Sequence, residues 1–371
     1  MGKKVLIIRN FASEVNIDSY NLQEIGMGKA FVKRGYDCDV IYYNNKNFDQ
    51  MVYQHNQHKL TVKWTKAIKF MSNSIYLSLL NKRELKGYDM IISTEYNQIM
   101  TFLLSVYCKD TLYLYHGPYR DNNNKLIRSL YDAFLTPIIA RNIKKVYVKS
   151  ELAKEYLFEK GFQEISTIGV GLDIEKIEED SNIRKDLLEN IRAQLRDKKN
   201  LLYIGRLEEA RNTSFLIKLI AEVSKFVSNI NLVLIGEATS EDLKKYLDLI
   251  RELNVEKNII HIPKLRQSEL KYIYKEMDIF LFPSNYDIFG MVLLESMYYQ
   301  LPIISTLNGG SQTLLKNNNK YIMDNLEIKT WSKMILGILN DSSLKEELRN
   351  SAKKNILKNY TWDNIVNKIL S

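Results

Sequence analysis

Two acidic residues, Asp287 and Glu295, flank a turn in which the chain could bind a phosphorylated ligand. The apolar run 279–282 before the turn ends at Pro283 and predicts a buried strand, whereas residues 291–300 are rich in helix formers. A glycine in the turn lets a ligand approach the backbone, and the first N–H groups of a helix attract anions. We therefore predict a phosphate site, with one carboxylate at its lip and a second placed to hold a vicinal diol such as a ribose.

The segment 287–295, with the sequence D-I-F-G-M-V-L-L-E, resembles the E-x7-E signature of family-4 retaining glycosyltransferases, which have the GT-B fold. In that family the first carboxylate contacts hydroxyls of the donor sugar, the backbone after Phe-Gly contacts sugar and phosphate, and the second carboxylate binds the ribose. The resemblance implies the two carboxylate roles for Asp287 and Glu295. The backbone role falls to Ile288, Phe289, Gly290, Met291 and Val292. Aspartate replaces the usual first glutamate and its reach is roughly 1.5 Å shorter, so the donor-sugar preference stays open.

An arginine-containing segment upstream carries the same resemblance. Residues 203–213, Y-I-G-R-L-E-E-A-R-N-T, match the family's Gly-Arg-Leu-x-x-x-Lys-Gly/Asn element after the first strand of the second domain. The resemblance implies that Gly205 belongs to the donor site and that Arg206 and Arg211 hold the donor's diphosphate. The family usually has lysine at the second position. Arginine keeps the positive charge and adds a planar fork of donors suited to phosphate oxygens.

Two further assignments rest on the resemblance. Relatives hold the nucleotide base with backbone that here corresponds to Lys264, Leu265 and Arg266. They contact the donor sugar with a histidine or similar polar residue, and His116 follows the apolar run 112–115 at the corresponding place. Without the resemblance each motif has an ordinary structural explanation, because incidental acids, exposed loop arginines and structural histidines occur in any α/β protein.

The first part of the chain departs from the family. The loop 9–20 lacks the usual Gly-Gly pair, so its backbone contacts to acceptor and phosphate are not carried over. Gly26 and Gly28 lie within a helical stretch and give only weak evidence of a phosphate loop. Residues 37–39 spell D-C-D, the metal-binding motif of the other major glycosyltransferase fold, but a helix there gives way to a strand and no third ligand is visible. We therefore expect no metal and no cofactor besides the nucleotide-sugar substrate.

Short apolar runs alternate with longer helical segments, which is typical of parallel sheets covered on both faces. These runs lie at 5–8, 40–43, 90–93, 112–115 and 146–148, and again at 201–204, 232–235, 259–262, 279–282 and 303–305. With 371 residues the chain is longer than chains that usually fold around a single hydrophobic core. We expect an α/β protein of the GT-B fold, with two doubly wound, Rossmann-like domains and ligands in the cleft between them. The predicted domains are an acceptor-binding domain at 1–175, a nucleotide-sugar-binding domain at 176–355 and a terminal helix at 356–371 that packs back on the first.

Composition indicates an intracellular setting. Cys38 and Cys108 lack disulfide or metal-ligand spacing and fit a reduced cytosol. The first apolar run is too short for a signal peptide, and no run approaches 18 apolar residues, the length that spans a bilayer. We expect a cytoplasmic protein, with the inner face of the cell membrane as a further possibility.

The positive charge is concentrated in the first part of the chain. Residues 1–150 contain 22 lysines and arginines against 12 acids, a net charge of +10, whereas residues 151–371 sum to −1. The asymmetry favours a partner that carries phosphate or an anionic surface; nucleic acid, a lipid diphosphate and membrane headgroups all qualify, and solvated surface charge is the ordinary alternative.

Two segments are candidates for contact with an anionic membrane. Residues 59–71 place four lysines on one face of a predicted helix and apolar residues on another, as interfacial helices do. The segment 125–145 mixes leucine, isoleucine, tyrosine and phenylalanine with Arg128, Arg141, Lys144 and Lys145. Ordinary packing on the sheet, with the lysines in solvent, is the competing interpretation for the first segment.

The resemblance implies a metal-independent hexosyltransferase that moves a hexose from a nucleotide-diphosphate sugar, UDP-linked by preference, with retention at the anomeric carbon. The basic first domain suggests a glycan or a polyprenyl-diphosphate-linked glycan as acceptor, as in bacterial capsule or exopolysaccharide synthesis. Alternatives are a non-catalytic GT-B partner subunit that binds glycan and a sugar-nucleotide epimerase of the same fold. Nucleic-acid binding is not expected, because charge alone suggests it and no matching motif is present.

Overall fold

Two parallel β-sheets organise the chain, and each belongs to a separate unit. The first unit comprises the residues up to Asp173 together with Tyr360–Ser371, and the second comprises Ile174–Asn359. The structure, a computed structural model, describes residues 2–70, 72–121 and 125–371. Buried apolar side chains pack into clusters within each unit.

The first unit is an α/β sandwich. Its strands are β1 (Lys3–Ile8), β2 (Tyr36–Tyr43), β3 (Phe48–His55), β4 (His58–Thr65), β5 (Ile68–Phe70), β6 (Asn73–Ile75), β7 (Met90–Thr94), β8 (Leu112–His116), β9 (Lys145–Val148) and β10 (Ile165–Thr167). Its helices before the unit boundary are α1 (Gln23–Lys33), α2 (Lys82–Leu85), α3 (Ile99–Tyr107), α4 (Lys125–Phe134), α5 (Thr136–Asn142) and α6 (Glu151–Glu159). A short 3-10 helix covers Leu77–Leu80.

The main sheet of this unit has the strand order β10-β9-β8-β7-β1-β2-β4-β3, and β5 pairs with β6 apart from it. Neighbours in the main sheet are parallel except β3 and β4. The strands β7 and β8 are buried along their whole length, as expected of strands covered on both faces. All five apolar runs predicted as strands in this part of the chain are strands.

The prediction of a helix over 59–71 is wrong, because these residues form β4 and β5; Met71 lies outside the described residues. Leu60, Val62 and Trp64 are buried, and the residues between them alternate toward the other face of the sheet. Lys63 reaches the buried carboxylate of Asp39 at 3.2 Å. The lysines at 59, 63, 66 and 69 follow a helical spacing of four and three residues. Leu60, Val62 and Trp64 instead alternate with a period of two, and β-branched and aromatic residues favour a strand here.

The second unit has the strand order β13-β12-β11-β14-β15-β16, and all its strand pairs are parallel. Its strands are β11 (Lys199–Ile204), β12 (Ile230–Ile235), β13 (Ile259–Ile262), β14 (Ile279–Phe282), β15 (Ile303–Thr306) and β16 (Ile322–Met323). Its helices are α7 (Ile174–Ile177), α8 (Lys185–Leu195), α9 (Thr213–Val223), α10 (Ser240–Glu252), α11 (Gln267–Tyr274), α12 (Met291–Tyr298), α13 (Gly309–Leu314), α14 (Ile328–Asn340) and α15 (Ser342–Asn359). Short 3-10 helices cover Glu209–Arg211, Glu256–Asn258 and Lys316–Tyr321. This is the doubly wound strand order, which reverses between β11 and β14 while the strands stay parallel.

The last helix, α16 (Trp362–Leu370), belongs to the first unit and packs on α1. Trp362 fills a slot that two glycines leave open, since a Cβ at Gly26 would lie 2.1 Å from the indole Nε1 and one at Gly171 would lie 2.4 Å from the ring. Arg34 binds Asp363 at 2.7 Å on the edge of this contact. Gly26 is thus a packing glycine and not part of a phosphate loop.

Within the part of the chain that the structure describes, every helix is too short or too polar to span a bilayer.

Candidate functional site

The donor residues that the sequence predicts in the second unit follow the carboxyl ends of its strands. Leu265 and Arg266 follow β13, and the others follow β11 and β14. The strands β11 and β14 are neighbours, and they flank the point where the strand order reverses, which is where open α/β sheets bind their ligands. The backbone is closely packed there, since a Cβ at Gly236 would lie 1.8 Å from the carbonyl oxygen of Gly205. Only glycine allows the loops after β11 and β12 to approach in this way.

Arg211 is the central cation of this edge. Its Nη1 donates to Ser284 Oγ at 2.7 Å and to the carbonyl oxygen of Tyr286 at 3.0 Å, and it lies 3.1 Å from Asp287 Oδ2. Its Nε is 3.7 Å from Glu208. The side chain is 28 % exposed, so these contacts fix a guanidinium that still reaches solvent. These contacts join the arginine after β11 to the aspartate after β14.

Arg206 lies on the same loop but is held far more loosely. Its side chain is 74 % exposed, and its Nη2 lies 3.5 Å from Glu208. The backbone beneath it is fixed, because its carbonyl oxygen accepts a hydrogen bond of 3.0 Å from the Tyr203 hydroxyl. A loosely held guanidinium on a fixed backbone can reorient toward a phosphate without breaking the fold.

The turn after β14 ends at the N-terminus of α12. Gly290 has φ +69°, a conformation that glycine adopts at little cost, and α12 begins at the next residue. Asp287 Oδ1 accepts the Phe289 N–H at 3.1 Å, which fixes the turn. Gly310 packs against this backbone, since a Cβ there would lie 2.0 Å from the Phe289 carbonyl oxygen. Helix α12 therefore begins directly after this turn, and the first turn of a helix is a favourable place for an anion.

Glu295 lies one turn into α12 and is buried. Its Oε2 accepts a hydrogen bond of 3.0 Å from the Tyr274 hydroxyl of α11. Tyr274 in turn stacks on Tyr299 with ring centroids 5.1 Å apart. The second carboxylate of the signature is therefore oriented by an aromatic pair, and a ribose would have to meet it in a partly desolvated setting.

The segment predicted to hold the base is anchored by contacts with the buried carboxylate of Glu269. Arg266 caps α11, and its backbone N–H donates to Glu269 at 2.8 Å. Arg184 binds the same buried carboxylate at 2.6 Å and lowers the pKa of Glu269 to about 2. The side chain of Leu265 is half-buried and that of Arg266 is exposed. The backbone of this loop is thus held in place independently of any ligand.

His116 belongs to the first unit, where it ends β8 as predicted. Its side chain is buried, its Nδ1 lies 2.5 Å from Glu95 Oε2, and its ring packs against Tyr96 and Tyr156. Its Nε2 is buried and finds no hydrogen-bond partner among the described residues. The histidine is therefore enclosed in this structure, and a role toward a sugar stays a prediction.

Sequence reasoning missed the two partners that make this histidine part of a charged cluster. Glu95 follows β7 and Lys149 follows β9, so three adjacent parallel strands end in ionisable side chains. Lys149 Nζ lies 3.6 Å from Glu95 Oε1. Burial raises the pKa of Glu95, but His116, Lys149 and the Gly117 N–H outweigh burial and lower it to about 2. The available signal in the sequence was an acid directly after the buried strand β7.

The D-C-D segment lies in β2, and its side chains are used within the fold. Asp39 is buried, accepts a hydrogen bond of 2.6 Å from the Tyr88 hydroxyl and pairs with Lys4 and Lys63 at 3.3 and 3.2 Å. Among the described residues, no group of three or more histidines, cysteines or acids is arranged to hold a metal ion.

Comparison with known proteins places this site in a recognised domain. Residues 184–355 match the family described as Glycosyl transferases group 1. An uncharacterized glycosyltransferase of Methanocaldococcus jannaschii is 30 % identical over 179 residues, which are 47 % of this chain and 44 % of the relative. The capsular polysaccharide biosynthesis glycosyltransferase CapM of Staphylococcus aureus is 26 % identical over 226 residues, 59 % of this chain and 55 % of the relative. The chain thus spans about half the length of these relatives.

Solved structures extend the likeness to the whole fold. The Anabaena protein HepE, crystallised with UDP and glucose, superposes with a TM-score of 0.68 at 15 % identity, covering 99 % of this chain and 98 % of HepE. The predicted GT-B fold is therefore confirmed, and residues 184–355 within it match the glycosyl transferases group 1 family.

Proposed function

We propose that this protein, whose residues 184–355 match the glycosyl transferases group 1 family, transfers a hexose from a nucleotide-diphosphate sugar to an acceptor hydroxyl. The observation that carries the proposal is the convergence of Arg206, Arg211, Asp287 and the N-terminus of α12 at the switch point of the second sheet. Two guanidinium groups and a helix N-terminus suit a diphosphate better than any neutral ligand. UDP is the proposed nucleotide, and the UDP held by HepE supports that choice.

The proposed chemistry is loss of the nucleotide diphosphate with retention at the anomeric carbon. Negative charge develops on the leaving phosphate, and the positive charges of the fixed Arg211 and of Arg206, once it turns toward the phosphate, would lower the barrier without a metal ion. Asp287 is already engaged through both oxygens, with Arg211 and with the Phe289 N–H. We therefore assign it to positioning, and we propose a front-face displacement in which a leaving phosphate oxygen takes the acceptor proton.

The proposed acceptor is a glycan carried on a polyprenyl diphosphate at the inner face of the cell membrane. The net charge of +10 over residues 1–150 supports an anionic acceptor. The capsular glycosyltransferases CapM and CapH of Staphylococcus aureus, both 26 % identical, support a role in surface polysaccharide synthesis. Bacterial capsule or exopolysaccharide is the proposed product.

The test is a transfer assay with UDP-hexoses in excess EDTA, using a membrane lipid extract that contains polyprenyl-linked glycans as acceptor. The proposal expects UDP release that needs both donor and lipid extract and persists in EDTA, and a product whose anomeric configuration matches the donor. Conversion of the donor without acceptor would instead identify an epimerase. Donor binding with neither conversion nor transfer would favour a non-catalytic partner subunit.

A further inference from the structure

Helix α4 is oriented with its polar side toward the protein. Arg128 pairs with Asp132 at 3.3 Å and donates to the hydroxyls of Tyr96 and Tyr156. Asp132 also accepts from Lys160 at 2.6 Å. Tyr131 packs beside these groups on an apolar cluster of the first unit. Surface helices of globular proteins normally turn their whole apolar stripe inward, whereas α4 turns a largely polar side inward.

The outward side of α4 is a continuous apolar stripe. It is formed by Leu126, Ile127, Leu130 and Phe134, which recur at the three- and four-residue spacing of one helix face, and each is more than half exposed. Leu126 and Phe134 are 75 % and 68 % exposed. The helical path continues into α5, where Pro137 and Ile138 are also exposed. Contiguous exposed apolar surface of this kind marks an interaction site.

The charge around the stripe indicates what covers it. Asp132 is the only acid between residues 125 and 145, and its carboxylate is held inward by Arg128 and Lys160. The exposed charged side chains that follow are cations, Arg141 and Lys144. The nearby carboxylate of Asp121 is 46 % exposed, but it is paired with Arg128 and with Lys160, each at 3.4 Å. An apolar helix face followed by exposed cations that form no ion pair among the described residues matches an anionic lipid surface, in which apolar side chains enter the acyl boundary and cations meet the headgroups.

We propose that the stripe of α4 docks the protein on an anionic lipid bilayer. A protein partner or a second copy is the competing occupant, but such an interface has a polar rim of mixed donors and acceptors, and this outward face offers no carboxylate. The proposal goes beyond the transferase reaction, because lipid binding needs neither donor nor acceptor. It would bring the acceptor-binding unit to the surface where a lipid-linked acceptor resides.

The test is sedimentation with phosphatidylglycerol-containing vesicles and with phosphatidylcholine vesicles, in the absence of nucleotide and acceptor. The double variant Leu126→Ser/Phe134→Ser removes two side chains of the stripe. Phe226→Ser/Leu247→Ser is the matched control, because these side chains are 65 % and 43 % exposed in the second unit. All four positions are exposed, so both variants are expected to keep the wild-type melting temperature.

The wild type is expected to bind the anionic vesicles, and the α4 double variant at least about tenfold more weakly, while the control binds as the wild type does. Replacing Arg141 or Lys144 with glutamine should weaken binding about fivefold each on anionic vesicles and leave phosphatidylcholine unaffected. Equal losses in the α4 variant and the control, or no wild-type binding, would overturn the proposal. So would a dimer, seen by light scattering without vesicles, that the α4 variant dissociates, since a second copy would then cover the stripe.

Because no sugar donor is present, this outcome is independent of the transfer assay. A protein that binds vesicles but transfers no hexose would support the docking surface and contradict the proposed function. A protein that transfers a hexose but does not bind vesicles would support the proposed function and contradict the docking surface.

Discussion

At the scale of single residues, Arg206 and Arg211 carry the same charge but are held differently. Arg206 contacts Glu208 from an exposed position, whereas Arg211 is fixed by Ser284, the Tyr286 carbonyl and Asp287. The first can therefore be removed with little effect on the fold, and the second cannot.

Arg206→Ala should lower kcat on the order of 10²–10³-fold, as expected for loss of one group that stabilises the charge of the leaving phosphate. Its melting temperature should stay close to that of the wild type, because the exposed side chain contributes little to stability. Steady-state kinetics and thermal unfolding of the same preparation measure both. Unchanged kinetics in a folded variant would remove Arg206 from the site.

Arg211→Ala should reduce activity and also destabilise the second unit by about 2 kcal/mol, since it leaves the Ser284 hydroxyl, the Tyr286 carbonyl and Asp287 without their shared donor. Chemical denaturation measures the change in the free energy of unfolding, and Arg206→Ala is the control. A stability equal to that of Arg206→Ala would show that the bonds of Arg211 are not maintained in solution.

The free energy of unfolding should fall at acid pH because of Glu95. Its folded-state pKa of about 2 lies below the ordinary value of 4.5, so the unfolded chain binds the proton more readily. The carboxylate therefore stabilises the fold by roughly 3 kcal/mol above pH 4.5, and this contribution is lost as the pH falls toward 2.

Glu95→Gln should thus lower the free energy of unfolding at pH 7 and lose the difference from the wild type near pH 2. The measurement is denaturant unfolding at a series of pH values, with the exposed Glu252→Gln as control. A constant difference between wild type and Glu95→Gln across this range would contradict the assigned ion pairs.

The sequence could indicate the residues of the second unit because each lies within a contiguous motif beside a recognisable strand. Glu95 and Lys149 could not be predicted in that way, because each is one charged residue after a different strand. Only the parallel pairing of β7, β8 and β9 brings them to His116.

At the scale of elements, the turn between β14 and α12 depends on a neighbouring helix. Gly310→Ala should displace the Phe289 backbone, because the new Cβ would lie 2.0 Å from its carbonyl oxygen. Nucleotide affinity should fall at least about tenfold, as expected when misplaced donors leave phosphate oxygens unpaired.

The matched control is Gly337→Ala in α14, where a Cβ meets nothing within 4 Å. That variant should bind nucleotide as the wild type does and gain up to about 1 kcal/mol of stability, because alanine favours a helix. Calorimetric titration of both variants gives the comparison. Equal affinities would show that α13 does not position the turn.

The ten apolar runs predicted as strands are all strands. Strands of a parallel sheet that is covered on both faces are typically short, continuous apolar runs, and such runs can be recognised in a sequence. Residues 59–71 show the limit of the same reasoning. Their lysine spacing fits a helix, whereas the alternation of Leu60, Val62 and Trp64 fits a strand, and pairing with β2 and β3 decides for the strand. That partner choice is a tertiary property and is not encoded in the segment itself.

At the scale of the whole molecule, two features of the chain were visible in its composition. The chain is longer than chains that usually fold around a single hydrophobic core, and its excess of positive charge lies in the first 150 residues. The outward apolar stripe of α4 was not visible, because the inward contacts of the helix join distant parts of the sequence. These contacts are the ion pair of Asp132 with Lys160 and the hydrogen bonds that Arg128 donates to the hydroxyls of Tyr96 and Tyr156.

The central claim is that the second unit binds a nucleoside diphosphate through the arginines, the turn and Glu295. The most direct measurement is thermal unfolding with UDP, GDP, dTDP and ADP in EDTA, for the wild type and for Glu295→Gln. A ligand at 100 times its dissociation constant should add roughly 2.7 kcal/mol to the stability of the site. We expect a shift with one nucleotide, UDP by our proposal, that Glu295→Gln reduces. No shift with any of the four would contradict the claim.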